Sequence, residues 1–352
     1  MSLAPGGKLL RKELAETLRR VAEEVRRHGG VLSVDDLASY RAEVHEPGLT
    51  TEYRGHTVVA VPGPCGGPTV VEALNVMQNF DVGGMAHNSV EALHVVAESL
   101  RLSFADRLWL MGDPDYVPVP YDRLTSPDYA KELAAGIDLD RVVSMPPVQE
   151  LQSAATGEAV TVAGGLPAGE TTQLCVVDGT GGAVSMTQTL QPYSGVIPPG
   201  TGVALNGAML WFNPEPGRAN SIAGGKRILA NMSPIILLKD GKPFLVTGAP
   251  GGRKIKSAVA QVVSNVVDHG MEVHRAVNEP RIDCSGTEIR ADDRIPEDVL
   301  NGLRRKGHQV EAVPEEFLIR RFAGPTGILI DTESGELHGG LCQFDQTDAM
   351  GY

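Results

Sequence analysis

Glu170-Thr171-Thr172-Gln173-Leu174-Cys175-Val176-Val177-Asp178, followed after a glycine-rich turn by Ala183-Val-Ser-Met-Thr-Gln-Thr-Leu190, decides the reading of this chain. Both runs suit extended backbone, and the turn between them opens on Asp178-Gly179, so together they predict a β-hairpin. Its first strand begins on a threonine. A threonine hydroxyl is inert unless a base lies beside it, and a freed α-amine, with a pKa of roughly 7.7–8.0, is such a base. Cleavage between Glu170 and Thr171 would therefore create nucleophile and base in one residue. From these residues alone, the commoner reading is a β-branched residue filling a sheet.

Composition narrows the field. The 352 residues are 42% hydrophobic, enough for a substantial core in one large domain or two or three smaller ones. A net charge of -13 argues against nucleic acid and anionic membranes, both of which need a basic face. Cys65, Cys175, Cys284 and Cys342 contain no C-x-x-C pair and read as free, mostly buried thiols. The nine histidines lack metal-ligand spacing, so no metal is expected. The N-terminal residues lack an apolar export segment, and no apolar run is long enough to span a bilayer; the expectation is a cytoplasmic chain.

The first half reads as mainly helical. Leu10, Leu14, Leu18, Val21 and Val25 recur at helical spacing before Gly29-Gly30, and Ser33 with Asp36 predicts a cap for a short helix. A strand is predicted at Thr57 to Val61, a helix from Pro68 to about Phe80, and a longer one along Leu93 to Met111. Residues 141–170 read as an exposed linker. After Thr171, strands are predicted at 171–178, 183–190, 201–206, 234–238 and 243–248. Helices follow at 255–269 and 296–305, then a last hairpin at 327–330 and 336–339.

These motifs in this order resemble the γ-glutamyltransferase (γ-glutamyltranspeptidase) family of N-terminal nucleophile hydrolases. The resemblance rests on Thr171-Thr172, Thr187-Gln-Thr-Leu190, Gly225-Lys-Arg227, Met232-Ser-Pro234, Gly248-Ala-Pro-Gly-Gly-Arg253 and Glu279-Pro-Arg281. Gly30 to Leu37, Phe104-Ala-Asp-Arg107 and Gly112-Asp-Pro-Asp115 extend it to the first half, so that it runs from about Gly30 to Tyr352. It implies an α+β fold, the αββα four-layer sandwich, incomplete at its N-terminal part. It also implies autocleavage between Glu170 and Thr171, giving segments 1–170 and 171–352 that associate as one catalytic domain. Thr171 would be the nucleophile, Thr189 its orienting partner, and the N–H groups of Gly251 and Gly252 the oxyanion hole. No cofactor is implied. The substrate would be a γ-glutamyl amide such as glutathione, or another small acyl amide, with transfer to water or an amine.

Several positions depart from the family pattern. Trp211 stands where an acidic residue holds the substrate α-amine, Ala230 and Asn231 replace two serines that hold its α-carboxylate, and Gln191 replaces an asparagine. A long segment that precedes the part matching Gly30 in the family has no counterpart. These departures leave two alternatives: an acylase with a bulkier, less charged acyl group, and an inactive subunit completed by a second chain. Gly251-Gly252-Arg253-Lys254 lacks the order of a phosphate loop. Arg107 is expected to be structural, paired with a carboxylate, and Cys175 to be a structural thiol.

Overall fold

The structure, a computed structural model, describes residues 11–144, 171–190, 194–317 and 321–351. The expected linker lies mostly outside them, as do Glu170 and Gln191. The chain divides into two compact units, Met1–Val44 with Pro192–Gly207, and His45–Gln191 with Ala208–Tyr352.

In the smaller unit, α1 spans Lys12–Arg27 and buries Val21 and Ala22. It stops at Gly29, whose φ of 82° lets the Gly30 N–H reach back to Val25 O at 2.8 Å. The cap predicted for α2 (Val34–Ser39) is a capping box: Asp36 N donates to Ser33 Oγ, and Ser33 N donates to Asp36 Oδ2. The strand predicted at 201–206 does not form. Leu205 instead exchanges backbone hydrogen bonds with Ser194 and Val196, closing a loop whose glycines at 200 and 202 hold positive φ.

The larger unit is built on a six-stranded antiparallel sheet in the order β1-β2-β5-β6-β10-β11. Its strands are β1 (Leu49–Tyr53), β2 (His56–Ala60), β5 (Ile235–Lys239), β6 (Lys242–Gly248), β10 (Thr326–Ile330) and β11 (Leu337–Gly340). Asp240-Gly241 turns β5 into β6 with both residues at positive φ, and Arg54-Gly55 turns β1 into β2 in the same way. Because β2 pairs with β5, chain from before and after Thr171 shares one sheet.

Helices cover one face of this sheet. They include α3 (Gly67–Met77), buried along its whole length, and α7 (Ile255–Val267), and they close a core with Val58, Ile235, Leu237 and Leu245. Helix α4 (Val90–Leu110), capped by Ser89, packs on α3; α5 (Tyr121–Leu124) and α6 (Pro127–Ala135) follow it. Beyond α7 come α8 (Val273–Asn278), a small sheet β7-β8-β9 (Ile282–Asp283, Ile289–Asp292, Val310–Val313) and α9 (Glu297–Arg305).

On the opposite face lies the hairpin of β3 (Thr171–Val177) and β4 (Ala183–Thr189). Its alternation is inverted relative to an ordinary two-layer sheet. The polar side chains of Gln173, Cys175, Ser185 and Thr187 point at the large sheet, with Ser185 Oγ donating to Thr247 O at 2.8 Å and Thr187 Oγ1 to Gln173 Oε1 at 2.5 Å. The apolar Leu174, Val176, Val184 and Met186 point away and remain 43–51% exposed. The described residues of this unit thus supply sheet, sheet and helices, with the outer hairpin face uncovered.

Candidate active site

Thr171 and Thr189 are direct partners in the β3/β4 register, so their side chains leave the same face. Their hydroxyl oxygens are hydrogen bonded at 3.0 Å. Period-two alternation aims both at the inter-sheet layer, where Gln173 is pressed against Gly248 at the end of β6. A side chain on Gly248 would collide with the Gln173 amide, which explains why a glycine stands there.

Gly248 leads into Ala249-Pro250-Gly251-Gly252. Gly251 has φ 140° and Gly252 φ 63°, both on the positive-φ side that favours glycine. Among the described residues neither N–H has a hydrogen-bond partner, the condition for donating to a developing oxyanion. The loop is held from behind. Gly324 N donates to Pro250 O at 3.0 Å, and a Cβ on Gly251 would lie 2.6 Å from Ala323 Cα. Ala323 is itself fixed by Arg281, from the Glu279-Pro-Arg281 motif, whose Nη1 donates to Ala323 O at 2.8 Å.

Trp211 ends a 3-10 turn over Ala208–Trp211, and its ring edge faces Gly252, where an added Cβ would sit 3.4 Å from it. The segment after the turn is tied down by residues of two sequence motifs. Asn220 Nδ2 donates to Trp211 O at 2.7 Å, Lys226 Nζ to Ala219 O and Ser221 O, and Arg227 bridges Asp113 and Asp115 at 2.6 and 2.7 Å. Gly225-Lys-Arg227 and Gly112-Asp-Pro-Asp115 therefore act together to position Trp211.

A cavity opens beside Trp211, lined also by Phe104, Arg107, Asn231, Arg253 and Ser285. Arg107 corrects one expectation: among the described residues it pairs with no carboxylate, and it donates to Cys65 O, Leu229 O, Ala230 O and Asn231 Oδ1. Burial pushes its pKa down to about 10. Ala230 is thus a backbone acceptor for Arg107. Asn231 is 2% exposed, and its Oδ1 accepts from Lys256 Nζ at 2.8 Å as well as from Arg107. This fixes the amide orientation and leaves Nδ2 buried without a partner among the described residues.

Lys256, on the first turn of α7, is fully buried over the Phe104 ring at 5.4 Å. Burial, then Arg107 and Arg253, drive its pKa well below the ordinary lysine value. Lys256 was not singled out from the sequence, and Arg253 was named only as the end of a motif and in a phosphate-loop reading that its order excludes. The available signal was a lysine interrupting the otherwise apolar face of Ile255-Lys-Ser-Ala-Val-Ala. Cys175, facing Thr326 O at 3.9 Å, is a packed thiol, and all four cysteines are free.

The family model for Gamma-glutamyltranspeptidase matches residues 3–334, so the match begins well before Gly30. The Acylase ACY 1 proenzyme of Pseudomonas sp. (strain SE83) is 33% identical over 360 residues, covering 97% of this chain and 61% of the relative. The Glutathione hydrolase proenzyme of Escherichia coli (strain K12) is 34% identical over 335 residues, covering 91% and 55%. Among solved structures, cephalosporin acylase from Bacillus halodurans superposes with a TM-score of 0.80 at 28% identity, over 95% of this chain and 57% of that one. The chain spans roughly three fifths of the length of these relatives. The family match over most of the chain agrees with a threonine pair at the mouth of a hairpin stacked on the main sheet, and the chain belongs to the γ-glutamyltranspeptidase family.

Proposed function

We propose that this protein is an autoprocessing acyltransferase and amide hydrolase of the γ-glutamyltransferase type, with Thr171 as nucleophile. The observation that carries the proposal is the 3.0 Å contact between the Thr171 and Thr189 hydroxyls at the start of β3. In maturation, Thr171 Oγ1 attacks the carbonyl carbon of Glu170 and the peptide C–N bond breaks as the nitrogen takes up a proton. Water then cleaves the resulting ester, leaving a Glu170 carboxylate and a free Thr171 amine. In turnover that amine accepts the hydroxyl proton as Oγ1 attacks the amide carbonyl of a small acyl donor such as a γ-glutamyl amide.

The N–H groups of Gly251 and Gly252 receive the oxyanion, each such donor being worth about 3–4 kcal/mol of barrier. Collapse expels the amine with the proton, and water or a second amine releases the acyl group from Thr171. The names of the relatives, glutathione hydrolase and acylase proenzymes, support this chemistry and leave the acyl group open. The test is a gel with N-terminal sequencing after incubation of the 37.3 kDa chain. Two fragments, the smaller beginning Thr171-Thr172, are expected, with neither cleavage nor anilide turnover in Thr171→Ala. Turnover that persists in that variant would sink the proposal.

The exposed apolar face of the β3–β4 hairpin supports a further reading, that polypeptide beyond these residues covers it. Leu174, Val176, Val184 and Met186 form one contiguous stripe on a two-stranded sheet, which has little stability when one face stays wet. A second chain, or a further part of the same protein, that protects this stripe from hydrogen exchange would support the reading.

A further inference from the structure

Two residues beyond Thr171 on the same face of β3, Gln173 stands where the hairpin meets the end of β6. Its register partner is Thr187, which is placed relative to Thr189 as Gln173 is to Thr171. A Cβ built on Gly248 would lie 2.4 Å from Cδ, 2.4 Å from Oε1 and 2.5 Å from Nε2 of Gln173. Three nearly equal distances mean that the planar amide lies face-on to Gly248. It is a spacer between the strand that opens on Thr171 and the strand that ends at the oxyanion loop.

The edges of the amide are fixed as well as its face. Thr247 O can only accept, so the single hydroxyl proton of Ser185 is spent on it, at 2.8 Å. Ser185 Oγ must then accept from Gln173 Nε2, at 2.9 Å. This turns Oε1 towards Thr187, whose hydroxyl donates to it at 2.5 Å. Hydrogen bonding thus runs one way, from Thr187 through Gln173 and Ser185 to Thr247 O, and flipping the amide would cost the last bond. The far end is held from its other side. Thr247 Oγ1 donates to Thr326 O at 2.8 Å, and Thr326 pairs with Gly248 in the β6/β10 register.

The hairpin is a two-stranded sheet of its own, so no backbone ladder joins it to the six-stranded sheet. The placement of Thr171 relative to Gly251 and Gly252 therefore depends on side chains packed between the two sheets. We infer that Gln173 is a positioning residue for acyl transfer: clamped by Thr187 and Ser185 and stacked on Gly248, its amide sets the separation between Thr171 Oγ1 and the N–H groups of Gly251 and Gly252. The inference rests on Thr171 being the nucleophile and on those N–H groups receiving the oxyanion. A tetrahedral intermediate must meet both at once, and a misplacement of about 1 Å costs about 100-fold in rate. The ground-state complex makes no such demand, so loss of the clamp falls on kcat and spares KM.

The test uses processed enzyme with γ-glutamyl and glutaryl p-nitroanilides. Gln173→Met keeps the length of the side chain and removes both hydrogen-bonding edges. It should lower kcat about 10- to 100-fold while KM changes less than about 3-fold. At pH 8, Gln173→Glu keeps an acceptor for Thr187 but has no donor for Ser185, and it should lose as much as Gln173→Met. Ser185→Ala cuts the next link, and combined with Gln173→Met it should lose no more than the worse single variant, as expected of two breaks in one chain. Urea unfolding of the same variants in a Thr171→Ala background reports whether each still folds. Where Gln173→Met does not, Ser185→Ala, which leaves Gln173 in place, carries the comparison of kcat with KM.

Turnover indifferent to Gln173→Met and Ser185→Ala, a loss carried by KM alone, full activity in Gln173→Glu, or additive losses in the double variant overturns the inference and leaves the reading of Thr171 standing. If the unaltered chain neither cleaves nor turns over either anilide, the fault lies with Thr171, and the role of Gln173 falls with it.

Discussion

Gly251 and Gly252 are neighbours with the same assigned task, yet their surroundings predict very different responses to an added methyl group. At Gly251 an alanine must adopt φ near 140°, which costs about 1–3 kcal/mol for a residue with a Cβ. Its Cβ would also stand 2.6 Å from both Cα and Cβ of Ala323, a residue with no exposure whose backbone is pinned by Arg281. Overpacking of this kind adds about 1–3 kcal/mol, for a total near 4 kcal/mol. At Gly252 the φ of 63° is ordinary left-handed backbone, costing about 1–2 kcal/mol, and the new Cβ meets only the ring edge of Trp211 at 3.4 Å. The predicted gap is about 2–3 kcal/mol. Urea unfolding in a Thr171→Ala background, which keeps the chain in one piece, measures it. Equal losses at the two positions, or a larger loss at Gly252, would show that the loop is not braced by the Ala323 segment as described.

Other outcomes follow from the same geometry. Thr189→Val, which keeps shape and removes the hydroxyl, should slow cleavage and anilide turnover by about 10- to 100-fold, while Thr189→Ser retains most of both; rates measured by mass spectrometry and absorbance decide. Lys256→Met should stabilise the protein by about 1–3 kcal/mol, because it removes a fully buried amine whose charged form burial and the neighbouring Arg107 and Arg253 disfavour, and urea midpoints check this. His308, buried against His94 at 2.7 Å, has its pKa pushed down to about 3 by burial first and then by nearby positive groups. The unfolded chain therefore binds this proton first as pH falls, and the associated stability, complete above about 6.5, is lost progressively towards 3. Between pH 7.5 and 4.5 the loss should be about 2–3 kcal/mol greater than in His308→Asn; parallel pH profiles would refute it.

The hairpin and its threonine pair were legible because period-two alternation and an Asp-Gly turn fix which residues face each other, and Thr189 lies opposite Thr171 as a matter of register. The Ser33 cap was equally local. The strand expected at 201–206 failed because Thr201 and Val203 invite extension while the glycines at 200 and 202 bend the chain, and the loop closes on Ser194 and Val196 instead. β1 escaped notice because its Thr-Thr-Glu run carries little apolar signal; it becomes a strand by pairing with β2. The cavity was legible only in part: Trp211 and Asn231 were marked as substrate positions by their motifs, but not the surroundings that bring them together. Arg107, Asn231 and Lys256 come from three distant segments, and only tertiary packing brings the two basic side chains onto one amide oxygen. Arg107 was misjudged for a related reason: four oxygens that are not carboxylates satisfy it, and backbone acceptors leave no trace in a sequence.

The pairing of β2 with β5 also bears on the order of events in the life of the molecule. Thr57 to Ala60 are hydrogen bonded to Ile235 to Leu238, in the interior of a sheet whose six strands come from both sides of Thr171. A cut at Thr171 would leave two polypeptides sharing that seam, and neither could depart without opening the sheet down its middle and stripping Val58, Ile235 and Leu237 of their cover. Folding must therefore come before scission: pieces made separately would each display a bare inner strand, a surface prone to pair with the wrong neighbour. Scission of this chain would thus be irreversible in a practical sense, yielding a heterodimer that can be assembled only through its single-chain precursor.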